Sequence, residues 1–237
     1  MNTDFSDLSL MQISDSFFPT GLYTMSNGLE TLFSEKRIAS TDDLHELIQT
    51  NIVQQIGPAD CVALANAYDF AAAKDVESVV TCDKLLFAMK LVKELRDATC
   101  RSGTQMIKCV NSFVNNDVLN EYYEAVKNSE TAGTHAVVIG VVSNALGIEK
   151  QKAVLHFLYG FSVSMVGAAL RLGMIEHIQS QKILHQLKPV IAETCNKYIS
   201  KSLDEMWQFA PEYDVIQIEH EQTFSKMFIT KNQSLLI

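Results

Sequence analysis

The residues that could carry catalysis or bind a metal are few and scattered along this chain. Asp42 and His45 are the nearest approach to a ligand pair, since no Glu-x-x-His motif of the kind that builds di-metal sites in helical bundles is present. His177 and His185 are eight residues apart, and a His-Glu pair stands at 220–221, but isolated histidines more often form hydrogen bonds than bind metals. The sequence also has no P-loop, GxGxxG, GxSxG or HExxH motif. We therefore predict no catalytic residue, no dedicated metal site and no cofactor bound by this chain.

The five cysteines indicate reduced thiols. They are odd in number and widely spaced, with no Cys-x-x-Cys or Cys-x-x-His pair, so they fit neither a disulfide framework nor a structural zinc site. We predict that they are free and mostly buried. They are Cys61, Cys82, Cys100, Cys109 and Cys195.

Composition excludes several functional classes. The chain has 237 residues, of which 47% are apolar, so it can bury a sizeable core, and we expect one large domain. A net charge of -9 argues against a nucleic-acid partner. The N-terminus carries acidic residues where a signal peptide would have basic residues and a long apolar run. We therefore expect a cytoplasmic protein that binds neither nucleic acid nor membrane.

Helical periodicity and sparse turn residues predict an all-α fold, namely a single-domain bundle of roughly ten helices. Only 10 Gly and 4 Pro are present, whereas sandwiches and barrels need frequent turns. Ser40 or Thr41 is placed to cap an amphipathic helix that Gly57 would end, and Pro58 suits the first position of the next helix. Asp75 is expected to start a further element.

Two long helices are predicted in the rest of the chain. Apolar residues at helical spacing indicate one over about 83–113 and another over 179–207, the latter with a kink at Pro189. Beyond it, apolar and acidic residues interleave, which suggests a segment that lies in a groove; a frayed terminus is the other interpretation. We therefore assign a helical domain to 1–207 and an extended C-terminal partner-binding tail to 208–237.

The region 132–175 is nearly uncharged and strongly apolar. A membrane-spanning helix needs about 20 apolar residues, and His156 and Arg171 leave shorter uninterrupted runs, so we expect buried core helices. Glycines recur here every seven residues, nearly two helical turns, which would place each set on one helix face. Such faces allow close approach either within one core or between two subunits of a homodimer. The sets are Gly133, Gly140 and Gly147, and Gly160 and Gly167.

The densest turn signals lie at 14–30. Pro19 and Gly21 predict a tight turn, and Asn27 with Glu30 matches a capping box that would open a helix. The large apolar side chains of this stretch need a surface to pack against.

This stretch resembles the N-terminal signature of the UreF family of urease accessory proteins, Pro-Val-Gly-Gly-Tyr/Phe-Ser-x-Ser-x-Gly-Leu-Glu. Thr20 and Leu22 depart from the signature. The residues in step with it are Pro19, Gly21, Tyr23, Ser26, Gly28, Leu29 and Glu30.

Three further motifs resemble the same family and follow in its order. Arg96, which ends a Glu-Leu-Arg run, is followed by Arg101 and Gly103, as in the second signature of the family. A Gly-His motif and a later Arg-Leu turn are matched by Gly133, His135, Gly140, Arg171, Leu172 and Gln181. The Pro-Leu/Phe-Gly-Gln core of that turn is replaced here by 174–177, so any contact it makes in the family is changed. The closing motif is matched by His220, Glu221, Ser225 and Phe228.

The resemblance implies a dimerising helical adaptor rather than an enzyme. Members of the family dock onto the UreD/UreH accessory protein and recruit the GTPase UreG to apo-urease, so that nickel is inserted with GTP hydrolysis. Nickel and GTP would then be handled by the partner complex. The implied interface candidates are Pro19, Gly21, Tyr23, Ser26, Gly28, Glu30, Arg96, Arg101, Gly103, Gly140, Gly167, Arg171, Gln181, His220, Glu221, Phe224 and Phe228.

The residues alone leave two other classes open. One is an all-helical enzyme whose cofactor is held by side chains interpreted here as core. The other is a membrane-peripheral helical protein that uses the apolar stretch at 153–175.

Overall fold

A computed structural model describes residues 5–20 and 28–222 of the chain. Every regular element in these residues is helical and none is a strand, which confirms the all-α prediction. A π-helical segment, Ile52–Cys61, joins α3 to α4 without a break, and a 3-10 turn, Leu203–Glu205, precedes the last helix. The eleven α-helices of the described residues therefore form ten separate rods. They are α1 (Ser6–Ser14), α2 (Leu29–Ser34), α3 (Thr41–Asn51), α4 (Val62–Ala72), α5 (Val76–Met89), α6 (Lys93–Asn111), α7 (Asp117–Lys127), α8 (His135–Ala145), α9 (Lys150–Arg171), α10 (His177–Tyr198) and α11 (Pro211–Gln222).

Helix α8 forms the centre of the core. Its sequence is apolar on all sides, and a helix of that kind is stable only when it is surrounded. Each of its first nine residues is buried, with α4 and α6 packed against it. Gly140 permits the contact with α4, because a Cβ atom there would lie 2.4 Å from the backbone oxygen of Leu64.

Helix α9 is the longest apolar element of the described chain. By length and composition it could cross a membrane, and half of its most apolar 18-residue window is buried inside the fold. It packs against α10, α8 and the π-helical segment, as a core helix does.

Two helix starts agree with the local sequence. The Ser40 side chain accepts a hydrogen bond from Asp43 N at 3.1 Å, and the Asp43 carboxylate accepts one from Ser40 N at 2.9 Å, so α3 begins with a capping box. Asp75 Oδ1 accepts from Ser78 N at 3.0 Å and caps α5. Both predicted starts are confirmed.

The predicted boundary at Gly57 and Pro58 is wrong. Both residues lie inside the π-helical segment, in the middle of a rod that runs from α3 to α4. Gly57 instead serves a close approach to α10, because a Cβ there would lie 2.5 Å from Thr194 Cγ2.

The predicted single helix over 83–113 is also wrong. The chain turns extended at Lys90 and Val92, which separates α5 from α6. The break is held by an ion pair between Lys90 Nζ and Asp60 Oδ2 at 2.5 Å and by Arg96 Nη1, which donates to the Lys90 carbonyl at 3.2 Å. The helix predicted over 179–207 ends earlier, at Tyr198.

Two smaller predictions need correction. The N-cap of α2 is Gly28, so the capping box proposed for Asn27 and Glu30 is not its start; Asn27 itself lies outside the described residues. Gly133 and Gly147 flank α8 with φ of 68° and 69°, so they share no helix face with Gly140.

Candidate functional site

Parts of two separate motifs meet where α2 begins. Gly28 precedes α2 with φ 84°, a left-handed conformation that favours glycine. A Cβ atom on Gly28 would lie 3.3 Å from Gln217 Cγ of α11. Leu29 is fully buried, and α2 contacts both α9 and α11. The last residues of the N-terminal signature, 28–30, are thereby held against α11.

Arg171 and Glu30 carry the charge at this place. Partial removal from water lowers the pKa of the Arg171 guanidinium below its usual value, and the nearby Glu30 carboxylate opposes that shift. Arg171 stays cationic, as arginines in proteins do. Its guanidinium extends along Gly167, where a Cβ would lie 3.5 Å from Arg171 Nη1. Three predicted interface residues, Glu30, Gly167 and Arg171, therefore form one cluster.

Exposed apolar side chains stand on the adjoining helix α11. Val215 and Ile218 are 53% and 43% exposed, whereas Tyr213 and Ile216 on its other side are buried. Apolar groups that stay exposed beside charged ones are typical of surfaces that another protein covers. We call Glu30, Gly167, Arg171, Val215 and Ile218 the junction surface.

Other predicted interface residues serve internal packing. A Cβ atom on Gly103 would lie 2.0 Å from the carbonyl oxygen of Gly133, so α6 and the loop before α8 touch at this glycine pair. Gly140 is packed directly against the backbone of α4 in the same way. Arg96 lies with its guanidinium carbon 5.3 Å from the centroid of the Phe87 ring and also donates to the α5–α6 break.

The remaining candidates do not join the cluster. Pro19 is exposed on the loop after α1, Arg101 on α6 and Gln181 on α10. The backbone at 220–221 belongs to α11, but the side chains of that pair are not described. The candidates that lie wholly outside the described residues are Gly21, Tyr23, Ser26, Phe224 and Phe228.

A buried carboxylate that sequence reasoning missed organises the start of α8. Asp83, fully buried on α5, accepts hydrogen bonds from Thr131 Oγ1 and Gly133 N, both at 2.6 Å, from Thr134 N at 2.8 Å and from Thr134 Oγ1 at 2.5 Å. These bonds fix the loop that leads into α8. The signal in the sequence is an aspartate in the apolar stripe of α5, where a charge is rarely tolerated without partners.

A buried histidine, His135, and a half-buried one, His156, lie next to a partly open cavity. His135 Nδ1 is 3.1 Å from Ser102 Oγ, and His156 Nδ1 is 2.9 Å from Ser14 Oγ. Burial lowers the pKa of His135 to about 3 and that of His156 to about 4, so both imidazoles are neutral near pH 7. They line a cavity of about 140 Å³, which is large enough for several water molecules.

Polar groups of other elements also line this cavity. Gln55 Nε2 of the π-helical segment donates to Asp214 Oδ1 of α11 at 2.8 Å, next to the Lys90–Asp60 ion pair. Burial raises the pKa of the Asp214 carboxyl, and its bond to Gln55 opposes this shift. Residues of the C-terminal segment therefore form part of the cavity wall.

The thiols and exposed histidines offer no reactive centre in the described structure. Cys61, Cys82 and Cys195 are buried, and burial raises the pKa of Cys61 and Cys82 well above the usual range. Burial also raises the pKa of the half-buried Cys100 thiol to about 11. These three thiols therefore stay protonated at neutral pH. Across 5–20 and 28–222, no group of three or more His, Cys, Asp or Glu residues is placed to hold a metal ion.

Comparison with known proteins agrees with the motifs. A family model described as UreF matches residues 38–188. The urease accessory protein UreF of Trichodesmium erythraeum is 34% identical over 229 residues, which cover 96% of this chain and 99% of that protein. The urease accessory protein UreF 1 of Brucella melitensis is 30% identical, with 94% of this chain and 92% of that protein covered. A urease accessory protein UreF of Actinobacillus pleuropneumoniae is 25% identical, with 94% of this chain and 98% of that protein covered.

Proposed function

Because this chain belongs to the UreF family of urease accessory proteins, we propose that it is an adaptor in urease maturation. It joins a UreD/UreH-type protein and a UreG-type GTPase to apo-urease in the cytoplasm, and it regulates GTP-dependent nickel insertion. The chain itself performs no covalent chemistry and holds no cofactor. Nickel and GTP are bound by the other members of the complex.

Family membership carries this proposal, and the junction surface supports it. Residues of the N-terminal signature and of the Arg-Leu turn are about 140 positions apart in sequence, yet Glu30 and Arg171 interact across the surface. The exposed Val215 and Ile218 add apolar area on the adjoining helix. A charged pair beside apolar anchors suits recognition of a folded protein partner.

Co-purification tests the adaptor role. The chain is mixed with UreD/UreH-type and UreG-type proteins of the same source and analysed by size-exclusion chromatography with mass detection. We expect a complex that contains two copies of this chain. Elution of the chain alone, with both partners present and folded, would contradict the proposal.

A pair of charge reversals locates the contact. Arg171→Glu changes the junction surface, whereas Lys108→Glu changes an exposed cation on α6 and serves as the matched control. We expect Arg171→Glu to weaken complex formation at least about fivefold, since loss of an interface anchor costs about 1 kcal/mol or more. Equal binding by the two variants would place the partner elsewhere.

The C-terminal segment contributes through its last part. Within the predicted partner-binding tail, 208–237, helix α11 already packs Tyr213 and Ile216 into the core. Ordering on the partner is therefore proposed only for 223–228, which lie outside the described residues. Hydrogen exchange that is unchanged in this stretch on addition of the UreD/UreH-type protein would rule it out.

We propose α9 as the homodimer face. Gly160 and Gly167 both lie on α9, and a Cβ atom at Gly160 would meet no atom within 4 Å. Close approach of a second copy would bury this apolar helix further. We expect Gly160→Leu to reduce the mass in solution to that of a monomer, with Ala192→Leu on exposed α10 as the control. A folded Gly160→Leu variant that remains dimeric would exclude this face.

A further inference from the structure

The widest helical turns of the described chain lie in the segment that joins α3 to α4. Ile52–Cys61 is π-helical over ten residues, whereas π-helices are usually single turns at functional sites. The segment is almost wholly buried, so its backbone groups need partners inside the protein. Extra stabilisation from outside the helix is therefore expected.

Pro58 leaves this segment one backbone donor short. Proline has no N–H, so residue 58 can serve neither the carbonyl of Val53, as it would in a π-helix, nor that of Gln54, as it would in an α-helix. The Gln54 carbonyl accepts a hydrogen bond from Phe209 N at 2.9 Å. Trp207 N donates to the Pro58 carbonyl at 3.3 Å. An extended stretch of chain thus lies along the π-helical turns and bonds to them through alternate residues.

Side chains reinforce the same contact. Gln208, between the two donors, bonds through Nε2 to the carbonyl of Met89 at the end of α5. Further along, Asp214 accepts from Gln55 of the π-helical segment at 2.8 Å. We call residues 206–217 the strap. It is held to the rod and to the α5–α6 break by backbone and side-chain bonds together.

The strap also forms part of the wall of the cavity. Gln208 and Asp214 of the strap line the cavity together with His135 and His156, and Gln55 lines it from the π-helical segment. On its outer side the strap leaves Phe209 69% exposed. Movement of the strap would therefore widen the cavity and remove bonds from the π-helical turns in the same step.

We propose that the strap and the π-helical segment form one two-state element, in which strap docking holds Ile52–Cys61 in the π form and strap release relaxes it. Because coupling between two parts of a molecule is reciprocal, a change in the rod must also loosen the strap. The coupling is a property of the free chain and is tested without urease or any partner. Its failure is therefore distinct from failure of the adaptor proposal.

Hydrogen exchange with mass detection tests the first direction. Phe209→Pro removes the N–H that serves Gln54, and Phe209→Ala removes the exposed ring but keeps the N–H, so it is the matched control. We expect exchange in 52–62 to rise at least about fivefold in Phe209→Pro relative to Phe209→Ala, with α7 unchanged. Equal exchange in 52–62 for the two variants, with faster exchange confined to the strap, would overturn the proposal.

The reverse direction uses Pro58→Ala, which keeps the test decisive if Phe209→Pro does not fold. Alanine restores an N–H at residue 58, which in the α-helical register bonds to the Gln54 carbonyl and so competes with Phe209 N. We expect exchange at residues 207–217 to become at least about fivefold faster although no strap residue has changed. A strap with unchanged protection in Pro58→Ala would show that the two parts move independently.

Discussion

Replacement of Asp83 by asparagine should strongly destabilise the fold. The two carboxylate oxygens accept four hydrogen bonds from three residues of the loop before α8, and all of these groups are buried. Asn is nearly isosteric, but one oxygen becomes an NH₂ group. That amide then faces donors instead of accepting from them.

The hydrogen bonds set the expected magnitude. A hydrogen bond to a charged group contributes about 1.5–3 kcal/mol net, and a buried donor left without a partner costs about 1–3 kcal/mol. Asp83→Asn loses the two bonds to one oxygen and weakens the other two. We therefore expect a loss of about 3–5 kcal/mol in the free energy of unfolding, or roughly 10 °C in Tm for a chain of this size.

Urea unfolding followed by far-UV circular dichroism measures this loss, provided the m-value is unchanged. Thr131→Val removes one of the four bonds and should cost only about 1–2 kcal/mol. Asp117→Asn, an exposed position on α7, should stay within about 0.5 kcal/mol of the native protein. If Asp83→Asn lowered the free energy of unfolding by less than about 1 kcal/mol, the Asp83 carboxylate would not be what holds the loop before α8 to α5.

Three further outcomes follow from burial and close approach. Gly140→Ala should lower Tm by an amount equivalent to about 1–3 kcal/mol, because its Cβ would lie 2.4 Å from a backbone oxygen of α4. Gly167→Ala should be nearly neutral, so similar melting curves for the two variants would contradict this prediction. Gly57→Ala should destabilise the protein by a comparable amount, measured by urea titration, since its Cβ would lie 2.5 Å from a methyl group of α10. An unchanged midpoint of unfolding would show that α10 moves aside freely. Stability should fall with acid. The unfolded chain protonates His135 and His156 as pH drops below 6.5, whereas the folded chain protonates them only near pH 3 and pH 4, respectively. Their contribution to stability is therefore complete above about pH 6.5 and is lost from 6.5 down to about 4 for His156 and about 3 for His135. A His156→Gln variant with the same slope of Tm against pH from 6.5 to 5 would refute that account.

Local signals in the sequence were sufficient where the structure depends on neighbouring residues. Ser40 and Asp75 cap their helices through side chains three residues from the groups they bond, so the pattern could be found in a short window. The all-helical fold also followed from periodicity, since few glycines and prolines interrupt it.

Predictions from local sequence were wrong where contacts between residues far apart in the chain determine the helix boundaries. Gly57 and Pro58 resemble a helix boundary, yet the rod continues through them, and Phe209, about 150 residues later, donates a hydrogen bond to the Gln54 carbonyl within it. The break between α5 and α6 contains neither glycine nor proline, and the Lys90–Asp60 ion pair that accompanies it joins residues thirty positions apart. Tertiary contacts overrode propensity in both places.

In the candidate site, too, the local motifs indicate the individual residues but not the contacts between them. The resemblance named Glu30 and Arg171 separately, but nothing in either motif indicates that they interact. It also grouped Gly140 with interface residues, although that glycine is closed by α4. Only the packed structure separates motif residues that face outwards from those that build the core.

The contact between Gly103 and Gly133 has a consequence for anyone who transfers these motifs to another scaffold. A methyl group on Gly103 would lie 2.0 Å from the Gly133 carbonyl oxygen, so the two glycines form one surface of contact although thirty residues separate them. A chimaera that takes the α6 motif from one relative and the α8 loop from another will fit only if both halves keep the same backbone spacing there. The two motifs are therefore best exchanged as a single graft.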